Sequence, residues 1–165
     1  MRRWLPIVMA VLAVGVLLLP PMPRLVWNAS GSMPRGLYAL RPVTELRPGM
    51  LVAIRPPASL AFYLAGRGYL PAGVPLLKPV AGLPGQRVCR TGHRVSIDGL
   101  TAGMARSHDS RQRPLPFWQG CRLLKPDEIF LMNPAVSDSL DSRYFGPLPM
   151  VQILGEAMPL WLTEP

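Results

Sequence analysis

Lysine is scarce in this chain. Only Lys78 and Lys125 are lysines among its 18 basic residues, and all the others are arginine. Arginine therefore supplies the generic positive charge, and a lysine that is kept can serve a purpose that arginine cannot. The lysine amine loses its proton when it is removed from water, whereas the guanidinium group effectively never does. The two lysines are accordingly candidates for proton-transfer chemistry.

The two lysines have different neighbours in the sequence. Lys125 precedes the charged turn Pro126-Asp127-Glu128, which predicts a solvated ammonium group. Lys78 lies in VPLLKPVAGLPG, a segment with apolar residues on both sides and no acidic residue. Burial there would lower the pKa of the lysine, by up to about 3–5 units, and a neutral amine is a usable general base. The alternative is a lysine at a strand end whose ammonium group extends into solvent.

Cysteine and histidine are equally scarce. Cys89 and Cys121 are the two cysteines, and neither a C-x-x-C motif nor a Cys/His spacing typical of zinc sites is present. No metal and no cofactor is therefore predicted. In an oxidising compartment the two cysteines are expected to form a disulfide, which would stabilise the domain by roughly 3–4 kcal/mol. Two unpaired thiols are the alternative.

Clusters of basic residues are also missing, although the formal net charge is +9 at pH 7. The arginines are scattered and form no run of the kind that marks a nucleic-acid-binding tail, so no nucleic-acid partner is predicted. A basic domain of this type can instead lie against anionic lipid.

Charge is absent from one long segment near the N-terminus. Residues 4–23, WLPIVMAVLAVGVLLLPPMP, are uncharged and come close to the ~20 residues that cross a bilayer. No convincing small-x-small cleavage site follows, so we predict a retained membrane anchor over residues 1–23, with a cleaved signal peptide as the alternative. Arg2 and Arg3 favour a cytoplasmic N-terminus, which leaves residues 24–165 outside the cytoplasm.

Long helical patterns are few beyond the anchor. Short runs rich in β-forming residues recur between turn signals such as Pro84-Gly85, and this spacing predicts a mainly β domain, a small barrel or sandwich. One short helix is predicted over residues 59–65, with Ser59 capping its start. Residues 101–119 are expected to form an exposed loop or insertion. The β-like runs are GLYALRPV, GMLVAIRP, QRVCRTG, HRVSIDG, EIFLMN and VQILGEAMPLWL.

Three segments, taken in order, resemble the type I signal peptidases, which are serine proteases with a Ser-Lys dyad. They are SGSMP at residues 30–34, LLKPVAGLPGQRV at 76–88 and SLDSRYFGPLP at 139–149. The compact length, together with SMPRGLY, RPLPFWQGC and DSRYFGPLP, further resembles the conjugative-transfer branch of that family, the TraF-type peptidases. The resemblance implies a signal-peptidase-like fold, mostly β and built on a small barrel.

The resemblance also implies a role for each matched hydroxyl and amine. Ser32 matches the nucleophile and Lys78 matches the general base. Ser30 matches the residue whose hydroxyl joins the Ser32 backbone N–H in the oxyanion hole. Ser139 matches a hydroxyl that orients the lysine amine. A Ser-His-Asp triad built on Ser32 is an alternative by inventory, but neither histidine lies in a motif that supports it.

A charged pair completes the resemblance, and two departures qualify it. Asp141 and Arg143 match an acid and a base that support the site as an ion pair. In the TraF-type branch this aspartate has been considered catalytic, so Asp141 is a catalytic candidate as well. General signal peptidases have Ser-Met-x-Pro, whereas here Pro34 follows Met33 directly. They also carry Gly-Asp-Asn-Arg where residues 133–136 read NPAV.

The resemblance implies a membrane-bound serine endopeptidase that cleaves the signal peptide or propeptide from an exported precursor, such as a conjugative pilin. Its expected partners are that precursor, the lipid bilayer and components of a conjugative type IV secretion system. The expected location is the bacterial inner membrane, crossed once, with the catalytic domain in the periplasm. Two alternatives stay open: a general type I signal peptidase with broad preprotein substrates, and a catalytically silent, membrane-anchored binding module of a secretion complex.

Overall fold

Strands dominate the computed structural model, which describes residues 24–163. The predicted anchor over residues 1–23 lies outside the described residues. Within residues 24–163 no helix is both long and apolar enough to cross a membrane. The strands are β1 (Arg24–Asn28), β2 (Gly36–Arg41), β3 (Leu51–Ile54), β4 (Leu76–Gly82), β5 (Arg87–Thr91), β6 (Arg94–Ile97), β7 (Leu100–Met104), β8 (Gly120–Leu123), β9 (Glu128–Leu131), β10 (Leu148–Pro149) and β11 (Ile153–Leu162). The helices are α1 (Ala58–Gly66), α2 (Ser142–Phe145) and a 3₁₀ helix (Met150–Gln152).

The strands form two antiparallel sheets. The larger sheet has seven strands in the order β1-β2-β11-β3-β4-β9-β10, and the smaller has four in the order β7-β6-β5-β8. Each of the six predicted β-like runs contains a strand, so the mainly β prediction is confirmed. The segment expected to be a loop after residue 100 begins instead as β7, which continues a hairpin from β6.

The larger sheet is buried on both faces at its centre, which follows from the alternation of side chains along a strand. In β3, Val52 and Ile54 point into one cluster with Ile129 and Leu131 of β9. Ala53 between them points to the opposite face, into a second cluster formed with β2. A third cluster lies between the smaller sheet, β9 and α2. The central strands are therefore rigid supports for any side chain that they carry.

The helices differ from the predictions in two respects. The predicted helix over 59–65 is observed as α1, but Pro57 occupies its N-cap position without a side-chain hydrogen bond. Ser59 therefore lies inside the first turn and does not cap the helix. The four-residue helix α2 was not predicted. Asp141 caps it by accepting a hydrogen bond from the backbone N–H of Arg143, as N-cap aspartates commonly do.

A disulfide joins the two cysteines in the smaller sheet. Cys89 of β5 and Cys121 of β8 are directly opposed in the strand register, and their sulfur atoms are 2.07 Å apart. This is the pairing that the sequence predicted.

Candidate active site

The hairpin between β1 and β2 presents the two candidate serines. Its loop carries Ser30 and Ser32, and β2 begins at Gly36, where φ is +150°. A Cβ atom at Gly36 would lie 2.1 Å from the carbonyl oxygen of Trp161 in β11. Glycine is therefore required for β2 to approach β11 closely, and this contact fixes one end of the serine loop.

The hydroxyl groups of the two serines are hydrogen-bonded to each other. The Oγ atoms of Ser30 and Ser32 are 3.2 Å apart, and the Ser30 hydroxyl is 2.8 Å from Oδ1 of Asn28. An amide oxygen only accepts hydrogen bonds, so Ser30 donates its single proton to Asn28. Ser32 must then be the donor to Ser30. In this state the proton of Ser32 points towards Ser30.

Lys78 is fully enclosed at the middle of β4. Its partner in the register is Val52 of β3, and only 1% of the residue is exposed. Burial lowers the pKa of the ammonium group to about 8, while the nearby carboxylate of Asp141 opposes this shift and the guanidinium of Arg143 adds to it. Lys125, by contrast, is exposed. The structure thus gives the two lysines the different environments that their neighbours predicted.

One hydroxyl orients the amine of Lys78. Its Nζ donates a hydrogen bond of 2.7 Å to Oγ of Ser139, which is itself buried. A lowered pKa increases the fraction of the amine that is neutral, and the neutral amine is the form that can accept a proton. The exposed Asp138 lies beside it and raises the pKa of the lysine slightly against the effect of burial.

Asp141 and Arg143 form a buried ion pair. Arg143 Nη2 lies 2.8 Å from Asp141 Oδ2, and both side chains are at most 1% exposed. The two carboxylate oxygens accept hydrogen bonds from the backbone N–H and Nε of Arg143 and from the backbone N–H of Asn133. Arg143 also donates to the carbonyl groups of Val136 and Ser139. The pair therefore braces the segment that carries Ser139. The catalytic role of Asp141 stays a prediction.

A cavity of about 240 Å³ brings the predicted residues together. It is lined by Ser30, Ser32, Lys78 and Ser139, with Asp138 at its edge. Among the described residues no direct hydrogen bond joins Ser32 to Lys78: the hydroxyl of Ser32 is paired with Ser30, and the amine of Lys78 with Ser139. A rotation of the Ser32 hydroxyl away from Ser30 is thus needed before it can donate to the amine. Such rotamer changes are fast, on the picosecond to nanosecond scale for exposed groups.

Comparison with known proteins shows the family to which the chain belongs. A family model described as signal peptidase, peptidase S26, matches residues 1–162. The chain belongs to this family. It is 37% identical over 149 residues to the conjugal transfer protein TraF of Agrobacterium fabrum, covering 84% of this chain and 82% of the relative. It is 38% identical over 151 residues to the probable conjugal transfer protein TraF of Sinorhizobium fredii, covering 84% and 77%.

A solved structure of a signal peptidase I from Enterococcus faecalis is also similar. The TM-score is 0.40 at 17% sequence identity, and the match covers 69% of this chain and 97% of the other.

Residues 133–136, where this member of the peptidase S26 family departs from the general signal peptidases, have a defined place in the site. Asn133 follows β9, and its Nδ2 donates a hydrogen bond of 2.6 Å to the carbonyl oxygen of Ser32. The sequence showed this segment only as a departure from the family pattern. Asn28 and Asn133 were not predicted as site residues, although both flank matched segments.

The histidines take no part in the site. His93 is hydrogen-bonded to the carbonyl of Ala105, and His108 to Ser107. Both are exposed, and neither lines the cavity that contains Ser32. The described residues therefore give no support to a Ser-His-Asp triad.

The predicted insertion over 101–119 is held against one wall of the cavity. Asp109 accepts hydrogen bonds from the hydroxyl of Tyr69 and from Nε of Arg113, and Arg113 donates in turn to the carbonyl of Arg67. Tyr69 lines the cavity that contains Ser32 and Lys78. The insertion is therefore a docked loop and not a free one.

Proposed function

We propose that this chain is a membrane-bound serine endopeptidase that removes the signal peptide or propeptide from an exported precursor. Ser32 is the nucleophile and Lys78 the general base. The observation that carries the proposal is the enclosed lysine. A buried amine with a pKa of about 8 shares a cavity with a serine hydroxyl in a member of a peptidase family. Strongly perturbed pKa values of this kind mark functional sites.

The reaction begins with two hydroxyl rotations. Ser32 turns from Ser30 to the neutral amine of Lys78, which takes its proton as Oγ attacks the scissile carbonyl carbon. Ser30 turns from Asn28 and, with the backbone N–H of Ser32, stabilises the oxyanion. One donor of this type is typically worth about 2.7–4 kcal/mol in the transition state. Ser139 holds the amine throughout.

In the remaining steps Lys78 transfers two protons, first the one taken from Ser32 and then one from water. Protonated Lys78 delivers the first to the leaving amine, and the C–N bond breaks to leave an acyl group on Ser32. The amine, neutral again, then takes a proton from water as the water oxygen attacks the acyl carbon. Lys78 returns that proton to Oγ of Ser32 as the acyl C–O bond breaks, which frees the serine and leaves the amine neutral. Burial favours each return of Lys78 to the neutral form, because it penalises the ammonium ion.

Two cavities meet at Ser32, which suits a chain that runs across it. The smaller contains Lys78, and the other, of about 910 Å³, is lined by Met33, Asn133 and Leu162 among others. An extended precursor segment therefore has space in two cavities that border the nucleophile. We propose that its scissile bond lies over Ser32.

An exposed apolar surface supports the proposal that the enzyme acts at a bilayer. Trp27 of β1 and Trp161 of β11 are 49% and 59% exposed, and their rings lie 5.8 Å apart. Leu25, Leu160 and Leu162 on the same strands are exposed as well. Tryptophan favours the membrane–water interface, and β1 follows directly on the proposed anchor, residues 1–23. This surface is therefore proposed to face the lipid from which precursors emerge, on the periplasmic side of the inner membrane.

A pilin precursor is the proposed substrate, because the TraF relatives are conjugal transfer proteins by name. Purified full-length chain in detergent or lipid should cleave the pilin precursor of the same conjugative system. It should leave unrelated exported preproteins largely uncut. Comparable cleavage of many unrelated preproteins would instead indicate a general signal peptidase. A chain that cleaves none of them would favour a binding module of the secretion complex.

The dyad is tested by two variants with matched controls. Ser32→Ala and Lys78→Met should each lower cleavage at least about a thousandfold, as removal of a nucleophile or base does in other serine proteases. Ser110→Ala and Lys125→Met change an exposed serine and the exposed lysine, and they should cleave at the parental rate. Parental rates for Ser32→Ala and Lys78→Met would overturn the assignment.

A further inference from the structure

The only two asparagines of the chain contact the same loop. Asn28 is the last residue of β1 and Asn133 follows β9, 105 positions further along the sequence. Both are buried. Their amide groups reach the serine loop, residues 29–35, from the end of β1 and from the segment after β9.

Asn28 holds the loop from within the hairpin. Its Nδ2 donates to the carbonyl oxygens of Ser30, Met33 and Pro34, at 3.2, 3.0 and 3.0 Å. Its Oδ1 accepts from the backbone N–H and the hydroxyl of Ser30, at 3.1 and 2.8 Å. The orientation of the amide is fixed by these partners, because the reverse orientation would place the amino group against an N–H and the oxygen against three carbonyls.

Asn133 holds the loop from outside. Its Nδ2 donates to the carbonyl oxygen of Ser32 at 2.6 Å. Its own backbone is fixed by the buried ion pair: the N–H donates to Asp141 and the carbonyl accepts from Arg143, both at 3.1 Å. Its Oδ1 accepts from the N–H of Ala135. A chain of hydrogen bonds thus runs from the ion pair to the backbone of the proposed nucleophile.

We propose that Asn28 and Asn133 are positioning residues that set the orientation of Ser32 towards Lys78. The proposal rests on the proposed Ser-Lys peptidase function. Residues 29–35 lie between β1 and β2 and belong to no strand. The backbone N–H of Thr163 holds the carbonyl of Arg35 at the end of the loop, and side chains hold the carbonyls before it. Besides the two asparagines, only the hydroxyl of Tyr38 among the described side chains donates to a carbonyl of residues 30–34.

The inference also assigns an indirect role to the ion pair. Asp141 accepts no hydrogen bond from Lys78 or Ser32, but its carboxylate fixes the backbone from which Asn133 reaches Ser32. The carboxylate thus acts on the nucleophile through an amide and not by accepting a proton.

The test uses full-length protein and the precursor that it cleaves. Asn133→Ala, Asn28→Ala and Asn28→Asp should each lower kcat by about tenfold to a hundredfold, as small displacements of reacting groups do, with KM within about twofold of parental. Asn28→Asp keeps the shape and the acceptor but replaces the donor. In Asn133→Ala and Asn28→Ala the pH midpoint of the rate should not move, because neither asparagine touches Lys78 and neither change alters a charge.

A matched control separates positioning from loosening of the fold. Gln86 also uses its amide for two hydrogen bonds, to the N–H of Leu83 and to Asp98, but it does not line the cavity. Gln86→Ala should lose stability and keep the parental kcat. All rates are measured where tryptophan fluorescence shows each variant to be fully folded.

The outcomes separate this inference from the proposed function. Parental kcat in folded Asn133→Ala and Asn28→Asp would overturn the positioning roles, as would an equal loss of kcat in Gln86→Ala. If Asn28→Ala does not fold, Asn133→Ala decides, because it removes fewer hydrogen bonds to the loop: one to the carbonyl of Ser32 and a long one to the sulfur of Met33. A parental chain that cleaves no precursor contradicts the proposed function itself.

Discussion

Replacing the buried lysine should stabilise the protein while it abolishes activity. The pKa of Lys78 falls from 10.5 to about 8 on burial, and each pKa unit corresponds to 1.36 kcal/mol. Folding at pH 7 therefore costs about 3 kcal/mol for this one ammonium group. Lys78→Met removes that cost and loses a hydrogen bond to Ser139, worth about 1 kcal/mol. The net gain is about 2 kcal/mol.

The gain depends on pH with a defined sign. Between pH 8 and 10.5 the unfolded parental chain binds more protons than the folded one, so parental stability rises with pH over this window. The advantage of Lys78→Met should therefore be complete below pH 8 and shrink through the window. Above pH 10.5 the variant should be less stable than the parent by about 1 kcal/mol, because only the lost hydrogen bond to Ser139 remains. Urea unfolding followed by tryptophan fluorescence measures it, with Lys125→Met as the control. A variant no more stable than the parent at pH 7, or a difference that is constant up to pH 10.5, would refute the reasoning.

Three further predictions concern the groups around the base. Asp138→Asn should move the pH midpoint of cleavage downwards, because the carboxylate raises the pKa of the general base; a midpoint that rises would contradict this. Asp141→Ala should cost about 3–5 kcal/mol in urea unfolding, because it leaves the guanidinium of Arg143 buried without its partner; a loss under about 1 kcal/mol would show that the pair is not structural. Replacing Cys89 and Cys121 by serine should cost roughly 3–4 kcal/mol but leave kcat of the folded protein unchanged, since neither cysteine lines the cavity.

The strands of this fold were predictable from the sequence because their apolar runs are short and separated by turns. Two of the strands that the β-like runs do not include, β1 and β8, lacked a readable sequence pattern: β1 (RLVWN) has three apolar residues in a row, and β8 is exposed along its whole length. The helix boundary was wrong at Ser59 because Pro57 fixes the start of α1 one residue earlier. Local capping chemistry was outweighed there by backbone geometry.

The site was predictable where chemistry limits the residue type. A lysine is rarely placed among apolar residues without a functional reason, and Lys78 is indeed buried. The asparagines were missed because an amide that binds backbone carbonyls has no sequence pattern of its own. The contact between Asn133 and Ser32 spans 101 positions, and only the pairing of distant strands reveals it. The same holds for the docking of Asp109 on Tyr69.

The most direct test of the Ser-Lys account is the pKa of Lys78 itself. Because the chain has only two lysines, full-length protein labelled with ¹³C-lysine gives two side-chain NMR signals, and the one missing from Lys78→Met identifies the buried amine. The account predicts that this signal titrates with a midpoint near pH 8. A midpoint near 10.4, the ordinary value for a solvated lysine, would contradict the claim that Lys78 is the general base.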